Sequence, residues 1–480
     1  MSPWNRTAAL AAAASLAACT TVGPNFKTPA APSAPGYAMA GDARDGTVVL
    51  TPEARSMGPW WRALGSSRLN AVMEEALADN QTVAKALAAL DKARAQADSA
   101  RGNAGPKVDA SASAERERIN IAAFGISGFP NPTIDLLSVG AQVSYDLDLF
   151  GGNRRRIETA AAAREAEGHR ADAAFLLLTG NVAMQAVRIG EIRDQIAAVN
   201  AIIADDERNL EIIHAAQAAG GEAPAASTGG EAQLAADRAL LPPLSQSLAQ
   251  ARHALAQLVG RSPAEWTAPD FAAGEFAAPA QIPVSLPSTL VRNRPDILAA
   301  EADLHADTAR IGVATANLYP DIKLAAAWAQ SALTPGALFG YNASGWSIGP
   351  SLTAPIFNGG ALKADKRAAE AQARASLAQY RITVLGAFVQ VSDVMSALAH
   401  DDERLAALST SEAVAQAALH DARAAYSLGG GPLSAIDTAQ VQVDRARLQL
   451  VEARSQRMMD VIQLFAATAS DWRENPTKSS

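Results

Sequence analysis

One serine lies in a pattern that hydrolases use. Gly345-Trp346-Ser347-Ile348-Gly349 fits G-x-S-x-G, in which a nucleophilic serine stands at a strand-to-helix turn. His400 and His420 follow in the chain, where a catalytic triad would need a histidine. However, Ser347 falls inside an alternating apolar and polar segment and Pro350 follows closely, which favours a strand without such a turn. A lipoprotein serine hydrolase is therefore the least favoured function.

The six histidines do not form a metal-ligand pattern. No two are spaced as H-x-x-x-H, and the sequence contains neither C-x-x-C nor a phosphate-binding P-loop. We expect no metal and no catalytic residues. The net charge of −8 also gives no basic surface for nucleic acid, so no nucleic-acid partner is expected. The histidines, all on predicted helices, are His169, His214, His253, His305, His400 and His420.

The single cysteine has the context of a lipid attachment site. Arg6 precedes an apolar run, Ala8–Ala18, that is too short to span a bilayer but is typical of a secretory signal. Small residues directly before Cys19 resemble the lipobox of bacterial lipoproteins. Thr20 follows, so no aspartate indicates retention at the inner membrane. We expect a signal peptide over 1–18 and a diacylglycerol and an N-acyl chain on Cys19; an ordinary signal peptide is the alternative.

The composition predicts long helices and a short extended tether. Hydrophobic residues make up 49% of the chain, with alanine the main contributor, and alanine has the highest helix propensity. Pro24, Pro29, Pro32 and Pro35 indicate an extended tether without regular structure after Cys19. No later segment offers 18 uncharged apolar residues. Any membrane crossing by the mature chain would therefore have to use strands.

Four segments alternate between apolar and polar residues: 107–117, 139–148, 322–328 and 346–352. Their period and their length of about ten residues are typical of outer-membrane barrel strands. A half-buried sheet in a soluble domain is the alternative. Four strands cannot close a barrel, and lipid does not tolerate an open edge, whereas three copies would supply about twelve strands. The membrane interpretation therefore requires an oligomer.

The chain contains two similar halves, each predicted as helix, strand, loop, strand, long helix, turn and helix. Pro106 aligns with Pro320, and Phe150 with Phe357. The first helix is predicted over Ser66–Gly102.

Each half also contains one long helix without proline, Arg154–Ala219 and Ala361–Leu428, each about 100 Å at ~1.5 Å per residue. Apolar residues spaced by three, four and seven predict a coiled-coil seam along them. Both end in glycine-rich turns, which stop a helix and allow a reversal. Pro242-Pro243 should bend or break the first return helix.

Several segments, in a fixed order, resemble the outer membrane factors of tripartite efflux systems, the TolC-like and especially the NodT-type lipoproteins. The resemblance covers nearly the whole mature chain. The segments are CTTVGPNFKTP after the lipobox, WWRALGSSRLNAVMEEALADN at 60–80, DLDLFGG at 146–152, RPDILAAEADLHADTARIGVATANLYPDIKL at 294–324, PIFNGG at 355–360 and YSLGGGPLSAIDTAQ at 426–440.

The resemblance implies a mixed α+β fold with two tandem structural repeats. Three copies would form a 12-stranded outer-membrane β-barrel, with four strands from each protomer, continued by a long periplasmic α-helical barrel and surrounded by an equatorial domain. The implied divisions are a signal peptide (1–18), a lipid-anchored tether and equatorial segment (19–60), the first repeat (61–263), a Pro-rich equatorial crossover (264–293), the second repeat (294–470) and a C-terminal tail (471–480).

The resemblance further implies a passive exit duct in the outer membrane of a Gram-negative bacterium, without enzymatic activity. A periplasmic adaptor and an inner-membrane RND-type pump would deliver drugs or other toxic small molecules to the homotrimer. A duct for type I secretion and a periplasm-spanning scaffold without a pore are the alternatives.

In this family the helical turns form a periplasmic tip that closes the pore and meets the adaptor. Ala435 and Thr438 stand where some relatives carry aspartates, so we keep Asp437 as a gate candidate, with a capping or solvated aspartate as the alternative. The stretch from Gly220 to Gln233 in the first turn is two residues longer than the matching stretch from Gly429 to Gln440 in the second. The other implied tip residues are Gly220, Gly221, Tyr426, Gly429, Gly430 and Leu433. The implied strand-to-helix transitions are Phe150, Gly151, Gly152, Pro355, Phe357, Gly359 and Gly360.

Overall fold

The computed structural model describes residues 21–30, 35–39, 41, 48–51, 59–120, 123, 125, 128, 130–279 and 282–468. Cys19, the expected signal peptide and the expected C-terminal tail lie outside the described residues. The chain forms two compact units, and each unit combines segments from both halves of the sequence. The first takes in described residues up to Pro29 together with 89–168 and 299–380, and the second takes in the remainder.

The described residues are mostly helical. The strands are β1 (Val48–Thr51), β2 (Lys107–Arg118), β3 (Thr133–Asp146), β4 (Ile282–Ser285), β5 (Asp321–Ala332) and β6 (Ser344–Thr353). The helices are α1 (Ser67–Asp79), α2 (Gln81–Asn103), α3 (Gly152–Ala218), α4 (Pro224–Arg238), α5 (Leu241–Val259), α6 (Pro287–Asn293), α7 (Pro295–Ala316), α8 (Ala361–Ser427) and α9 (Leu433–Ala467).

The first unit contains a four-stranded antiparallel sheet with the order β2-β3-β5-β6. Each of the four strands overlaps one of the segments predicted from alternation, so the existence of these strands is confirmed. β3 begins six residues before the predicted segment 139–148 and ends two residues before its end. Within the described chain, β2 and β6 each pair on one side only. The backbone groups on their outer sides therefore have no strand partner in this sheet.

Both long helices are confirmed, and each contains 67 residues. In the second unit, the buried positions of α3 follow the predicted seam, as at Val182, Ile189 and Ile192. Each long helix also includes an 18-residue window, of mean hydropathy 1.3 or 1.6, that is long and apolar enough to cross a membrane. Buried helices of soluble proteins pass the same test.

The first return helix breaks where its two prolines predicted. α4 ends at Arg238, and α5 starts at Leu241 with a proline in its first turn, where the missing N–H costs no hydrogen bond. The second return helix, α9, is continuous over 35 residues.

The single helix predicted over Ser66–Gly102 is wrong, because Asn80 divides it into α1 and α2. The Asn80 side-chain oxygen accepts hydrogen bonds from the amides of Thr82 (2.8 Å) and Val83 (3.1 Å), and so caps α2. Its amide nitrogen donates to the carbonyl of Leu258 at 2.7 Å. An asparagine that both caps a helix and holds a neighbouring element overrides the helical propensity around it.

In the second unit, the predicted crossover folds against the N-terminal segment. β4 pairs in parallel with β1, and the Tyr37 hydroxyl donates to the carbonyl of Ser285 at 2.8 Å. Nearby, Trp60 is fully buried and stacks on Phe465 with ring centroids 5.5 Å apart. The Pro-rich crossover therefore contains regular structure.

We predict that Asn80→Ala lowers the free energy of unfolding by about 1–2 kcal/mol, because it removes the cap of α2 and leaves the Leu258 carbonyl without its partner. The denaturation midpoint of the detergent-solubilised protein measures this. The exposed neighbour serves as a control: Gln81→Ala should change the midpoint by less than half as much. Equal midpoints for both variants would contradict the role of Asn80.

Candidate functional site

The strand register gives the four-stranded sheet one apolar face. In one cross-strand row Val108 lies opposite Val143, Val143 opposite Ala326, and Ala326 opposite Ile348. The next row contains Ala110, Ala141, Trp328 and Trp346. Trp346 and Ile348 are largely exposed in the single chain. Large apolar side chains that water would surround fit a lipid environment better than an aqueous one.

The apolar face has the height of a bilayer core. From Leu137 to Tyr145 on β3 the apolar positions cover eight residue steps, about 27 Å at ~3.4 Å per residue. Outer-membrane barrels have an apolar band of about 25 Å. Beyond Leu137 the same face becomes charged, because Arg116 lies opposite Asp135 with 3.7 Å between their charged groups. This face therefore has a defined apolar band with a polar border.

The opposite face is polar and is built mostly from small residues such as Ser111, Ser138, Gly140 and Ser347. Near its loop end, Glu115 and Glu117 lie opposite Leu136 and Ile134. Among the described strands, the lysines of this face, Lys107 and Lys323, lie at the helix end instead. The loop end of the polar face therefore carries two carboxylates without a basic neighbour on that face.

The predicted transition residues lie between strands and long helices. Phe150 and Gly151 lie between β3 and α3, and Gly152 is the first residue of α3. The Phe150 ring stacks on Tyr319 with centroids 4.6 Å apart. Asp148 begins the helix, since its carboxylate accepts from the amides of Asn153 and Arg154. Pro355, Phe357, Gly359 and Gly360 lie between β6 and α8, and Phe357 is 91% exposed.

Residues 21–28, which we call the anchor strap, form a segment whose contacts no sequence pattern indicated. It has no regular secondary structure, as expected, but it packs on the first unit and is not a free tether. Arg155, 3% exposed, donates to the carbonyls of Val22 (3.1 Å) and Gly23 (3.2 Å) and to the Asn25 side chain (2.8 Å). The Val22 amide donates to the carbonyl of Phe150 at 3.1 Å.

The anchor strap also crosses α7 at very short range. A Cβ atom added to Gly23 would lie 2.4 Å from the Cα of Gly312, and one added to Gly312 would lie 2.7 Å from the Arg155 side chain. Only glycine fits at both positions. The signal that could have revealed this contact is the glycine in VGPNF together with the glycine in the helical segment RIGVAT.

Further along the anchor strap, Phe26 stacks on the His305 ring with centroids 4.4 Å apart, and Thr28 donates to Glu301 at 2.8 Å. His305 in turn lies 3.0 Å from Glu158. Burial raises the pKa of Glu158, but hydrogen bonds from Arg155 and His305 outweigh this effect, so its pKa lies below the ordinary value.

The two helical turns in the second unit have the same hydrogen bonds. Gly220 and Gly429 have positive φ angles of 76° and 74°. Their amides bond back three residues, and those of Gly221 and Gly430 bond back five residues, which is the Schellman motif. Each turn contains five residues between helices. The two additional residues before Gln233 therefore belong to α4, and the expectation of a longer first turn is wrong.

Tyr426 and Leu433 contribute to one apolar cluster close to these turns. Leu433 is buried with Ile213 and Ile436, and Tyr426 packs against the same cluster. Ile213 comes from the first long helix, Tyr426 from the second, and Leu433 from the second return helix. The cluster therefore holds the ends of both long helices together within the chain.

A polar network adjoins this cluster. Gln440, 3% exposed, accepts from Arg423 at 3.0 Å and donates to Asp444 at 2.9 Å and to Asp205 at 3.4 Å. It therefore joins α8, α9 and α3. Only Gln440 of this network was on the family pattern, and nothing in the sequence spacing indicated Asp205 or Arg423.

The gate candidate Asp437 lines a cavity of about 360 Å³ with Asp206, Gln233 and Gln440. Burial, a hydrogen bond with the Asp237 carboxyl and the charges of Asp237, Asp444 and Asp437 raise the pKa of Asp206 to about 7. Burial and the charge of Glu222 raise the pKa of Asp437. The structure therefore brings Asp437 into a group of carboxyl groups that resist full ionisation.

The hydrolase geometry is not present. Ser347 lies inside β6 opposite Ala327, so it does not occupy a strand-to-helix turn. All six histidines are partly or largely exposed on helices, as at His214 and His400. Within the described part of the chain, no group of three His, Cys, Asp or Glu side chains is placed to hold a metal ion.

Comparison with known proteins identifies the family of the chain. The sequence profile described as "Outer membrane efflux protein" matches residues 72–261 and 286–470. Because the match covers more than half of the chain, the chain belongs to this family. It is an efflux channel protein of the outer membrane.

Individual relatives extend the similarity over nearly the whole length. Nodulation protein T of Rhizobium leguminosarum bv. trifolii is 28% identical over 439 residues, which is 90% of either chain. The probable outer membrane lipoprotein SilC of Salmonella typhimurium is 25% identical over 461 residues, 96% of this chain and 97% of SilC. The solved outer-membrane channel OprN matches with a TM-score of 0.85 at 27% identity, over 94% of this chain and 100% of OprN. None of the three is named as an enzyme.

We predict that Asp206→Asn stabilises the protein at pH 8 but not at pH 5. The pKa of Asp206 is higher in the folded protein than in the unfolded chain, so its protonation stabilises the fold. This stabilisation is fully present at pH values below the pKa in the unfolded chain and is lost as the pH rises through about 7. Asparagine mimics the protonated carboxyl at all pH values. Thermal unfolding at several pH values should therefore show a gain that grows between pH 5 and pH 8.

Asp421 provides the matched control, since it is an exposed aspartate near the end of α8. Asp421→Asn should leave the pH dependence of the unfolding temperature unchanged. A pH-independent gain for Asp206→Asn would show that the carboxyl pair with Asp237 does not titrate as described.

Proposed function

We propose that the chain is one protomer of a homotrimeric exit duct of a tripartite efflux pump. The observation that carries this proposal is the four-stranded sheet with one apolar face of bilayer height and an unpaired strand at each edge. In lipid, unpaired backbone groups cost several kcal/mol each, so the edges must find partners. β2 of one copy pairing with β6 of the next satisfies both edges. Three copies then close a barrel of twelve strands, which is wide enough for a water-filled lumen.

The long helices and their return helices continue the duct into the periplasm. In this proposal, the Schellman turns of α3 and α8 form the tip, and the apolar cluster of Ile213, Tyr426 and Leu433 keeps it closed at rest. A periplasmic adaptor contacts the tip at the turns around Gly220 and Gly429, and an inner-membrane RND-type pump supplies the substrate. β1, β4 and the crossover form the equatorial domain, and the two halves are tandem repeats.

Cys19 carries the lipid anchor of the mature protein. Support comes from the lipobox-like residues before it, from the name of the relative SilC, and from the position of Thr21, which packs against Gly151 at the end of the strand segment. Cys19 precedes Thr21 by two residue steps, which is a reach of about 7 Å. The acyl chains therefore enter the membrane close to the helix end of the apolar band. The duct has no other cofactor and performs no chemistry.

In this proposal the duct exports drugs or other toxic small molecules, and selectivity between them lies mainly with the pump. The small residues of the polar face agree with a duct that binds its solutes weakly. A type I secretion duct would use the same barrel and helices. Loss of efflux, without loss of protein secretion, on deletion of the gene distinguishes the two.

Electrophysiology of the purified protein tests the proposal. We expect a heat-modifiable trimer from the outer-membrane fraction, with low conductance in planar bilayers that rises when Leu433→Ala weakens the apolar cluster. Leu87→Ala, at an exposed leucine of α2, is the matched control and should leave the conductance low. Extraction by mild aqueous buffer, or no conductance from either protein, would favour the scaffold without a pore. A large steady conductance from the unmodified trimer would refute a closed resting tip.

The two faces of β2 yield a prediction about ion selectivity. Glu115 and Glu117 face the proposed lumen, so three copies place six carboxylates near the outer mouth and should favour cations. We expect Glu115→Gln/Glu117→Gln to reduce the cation preference, measured as the reversal potential in a KCl gradient. Asp135→Asn removes an acid at the same height on the lipid-facing side and should have little effect. Equal shifts for both variants would contradict the assignment of the faces.

A further inference from the structure

Two buried carboxyl groups face each other between the second long helix and its return helix. Asp401 on α8 is 9% exposed, and Asp460 on α9 is 6% exposed. The two carboxyl groups are hydrogen-bonded to each other. An ionised carboxyl group has only acceptor atoms, so this bond cannot form unless one of the two groups carries a proton. The pair therefore shares one proton across the interface of the two helices.

The surroundings of the pair supply no substitute for that proton. The Oδ2 atom of Asp401 is buried, and no other donor among the described residues reaches it. The Gln456 amide donates to Asp460 instead, at 3.1 Å. A buried acceptor that loses its only donor keeps the full cost of its lost hydration, and the cost is larger when the acceptor is charged. Ionisation of both carboxyl groups is therefore disfavoured while the helices stay packed.

Arginines on both helices act against this preference but do not overcome it. Arg404 on α8 and Arg457 on α9 favour the ionised form of Asp401. However, Arg457 is also bonded to the Asp402 carboxylate at 2.5 Å, so its charge is partly used by another acid. Burial and the neighbouring Asp460 outweigh the two arginines and raise the pKa of Asp401 to about 7.

α3 brings one further buried acid close to α9. Glu191, 2% exposed, accepts from Arg188 at 2.9 Å and from Gln195 at 3.1 Å, and the charge of Glu452 on α9 also acts on it. Burial raises the pKa of Glu191. Glu452 precedes Asp460 by eight residues, or about two helical turns. Glu191 is therefore part of a separate contact, and only substitutions within the pair itself isolate the shared proton.

The pair lies near the fixed end of a hairpin formed by α8, α9 and the turn between them. At this end Arg294 donates to the carbonyl of Ala467 on α9 at 2.8 Å and to the side chain of Gln390 on α8 at 2.6 Å. Both helices are therefore held at their base. In the other direction α9 continues from Asp460 to Leu433 for about 40 Å at ~1.5 Å per residue. Because packed helices move as rigid elements, a small change at the pair reaches the apolar cluster near the turn.

We propose that Asp401 and Asp460 form a proton-binding site that keeps this hairpin packed, and that release of the shared proton loosens α8 against α9 and favours opening of the tip. Two carboxylates in a poorly hydrated site repel each other, so the helices must separate or admit water before both can be ionised. The opening step rests on the proposed closed tip of the duct. Proton binding by the pair does not depend on it.

The direction of the pH dependence follows from the raised pKa. The pKa of Asp401 is higher in the folded protein than in the unfolded chain, so protonation of the pair stabilises the hairpin. This stabilisation is fully present below the pKa in the unfolded chain and is lost as the pH rises through about 7. Asp206 titrates in the same range. Every protein in the test therefore keeps Asp206, and the effect of the pair is the difference between variants.

Three measurements on the full-length trimer at pH 6 and pH 8.5 test the inference. The first is the infrared band of a protonated carboxyl group, which should be present at pH 6 and weaker at pH 8.5. The second is amide hydrogen exchange of α8 and α9 around the pair, corrected for the intrinsic effect of pH, which should become about tenfold or more faster at pH 8.5. The third is the conductance in planar bilayers, which should rise over the same range.

Asparagine at either position replaces the shared proton with an amide that donates at any pH. Asp401→Asn should therefore lose its part of the infrared band, keep slow exchange at pH 8.5 and show a smaller rise in conductance. Asp460→Asn should give the same result from the opposite helix, so that misfolding of one variant leaves the other as the test. Asp421→Asn, at an exposed position of α8, is the matched control and should respond to pH as the wild type does.

The outcomes separate the proton site from the duct. Corrected exchange that is equal at pH 6 and pH 8.5 in the wild type, or a wild-type response in both asparagine variants, would overturn the proton site. Faster exchange at pH 8.5 with an unchanged conductance would overturn the link to the tip. No conductance from the wild type at either pH would overturn the proposed duct, while the infrared band and the exchange would still decide whether the pair holds a proton.

Discussion

The apolar sheet with two open edges is the constraint on which the rest of the molecule depends. Water can satisfy the outer backbone groups of β2 and β6, but lipid cannot, so one copy of the chain is not a complete membrane structure. Its Trp346 and Ile348 lack a shielded environment in the isolated chain for the same reason. Assembly of copies removes both costs at once. In the proposed trimer the sheet is therefore one third of a closed wall and not a domain with its own core.

The fold could be predicted from the sequence wherever a single periodicity dominates. Alternation in 107–117 and 346–352 identified strands of the four-stranded sheet, and proline-free seams identified both long helices to within two residues at each end. Pro242-Pro243 correctly predicted the break in the return helix. In these segments local propensity, side-chain pattern and tertiary packing all favour the same structure, which is the condition for prediction from one sequence.

The failures occurred where a single residue serves distant partners. Asn80 divides a segment of strong helical pattern because its side chain bonds both to the following turn and to Leu258. The prolines after Cys19 correctly predicted a segment without regular structure but not its contacts, since its partner Arg155 lies more than a hundred residues away. Gln440 and Asp205 are likewise joined across 235 positions. No spacing rule reports such contacts, and among the tip residues the sequence could therefore place the turns but not the carboxyl group cluster around Asp437.

The polar face of the sheet has a consequence for transport. In the proposed barrel the polar face lines the lumen. Its serine, glycine and alanine side chains reach only a short way from the backbone, so they leave a wide passage and offer a passing molecule few atoms to contact. Weak adhesion allows fast release, which a conduit needs more than recognition. The same lack of large side chains gives this stretch no means of selecting between solutes. Any selection against bulky solutes therefore takes place before they reach it.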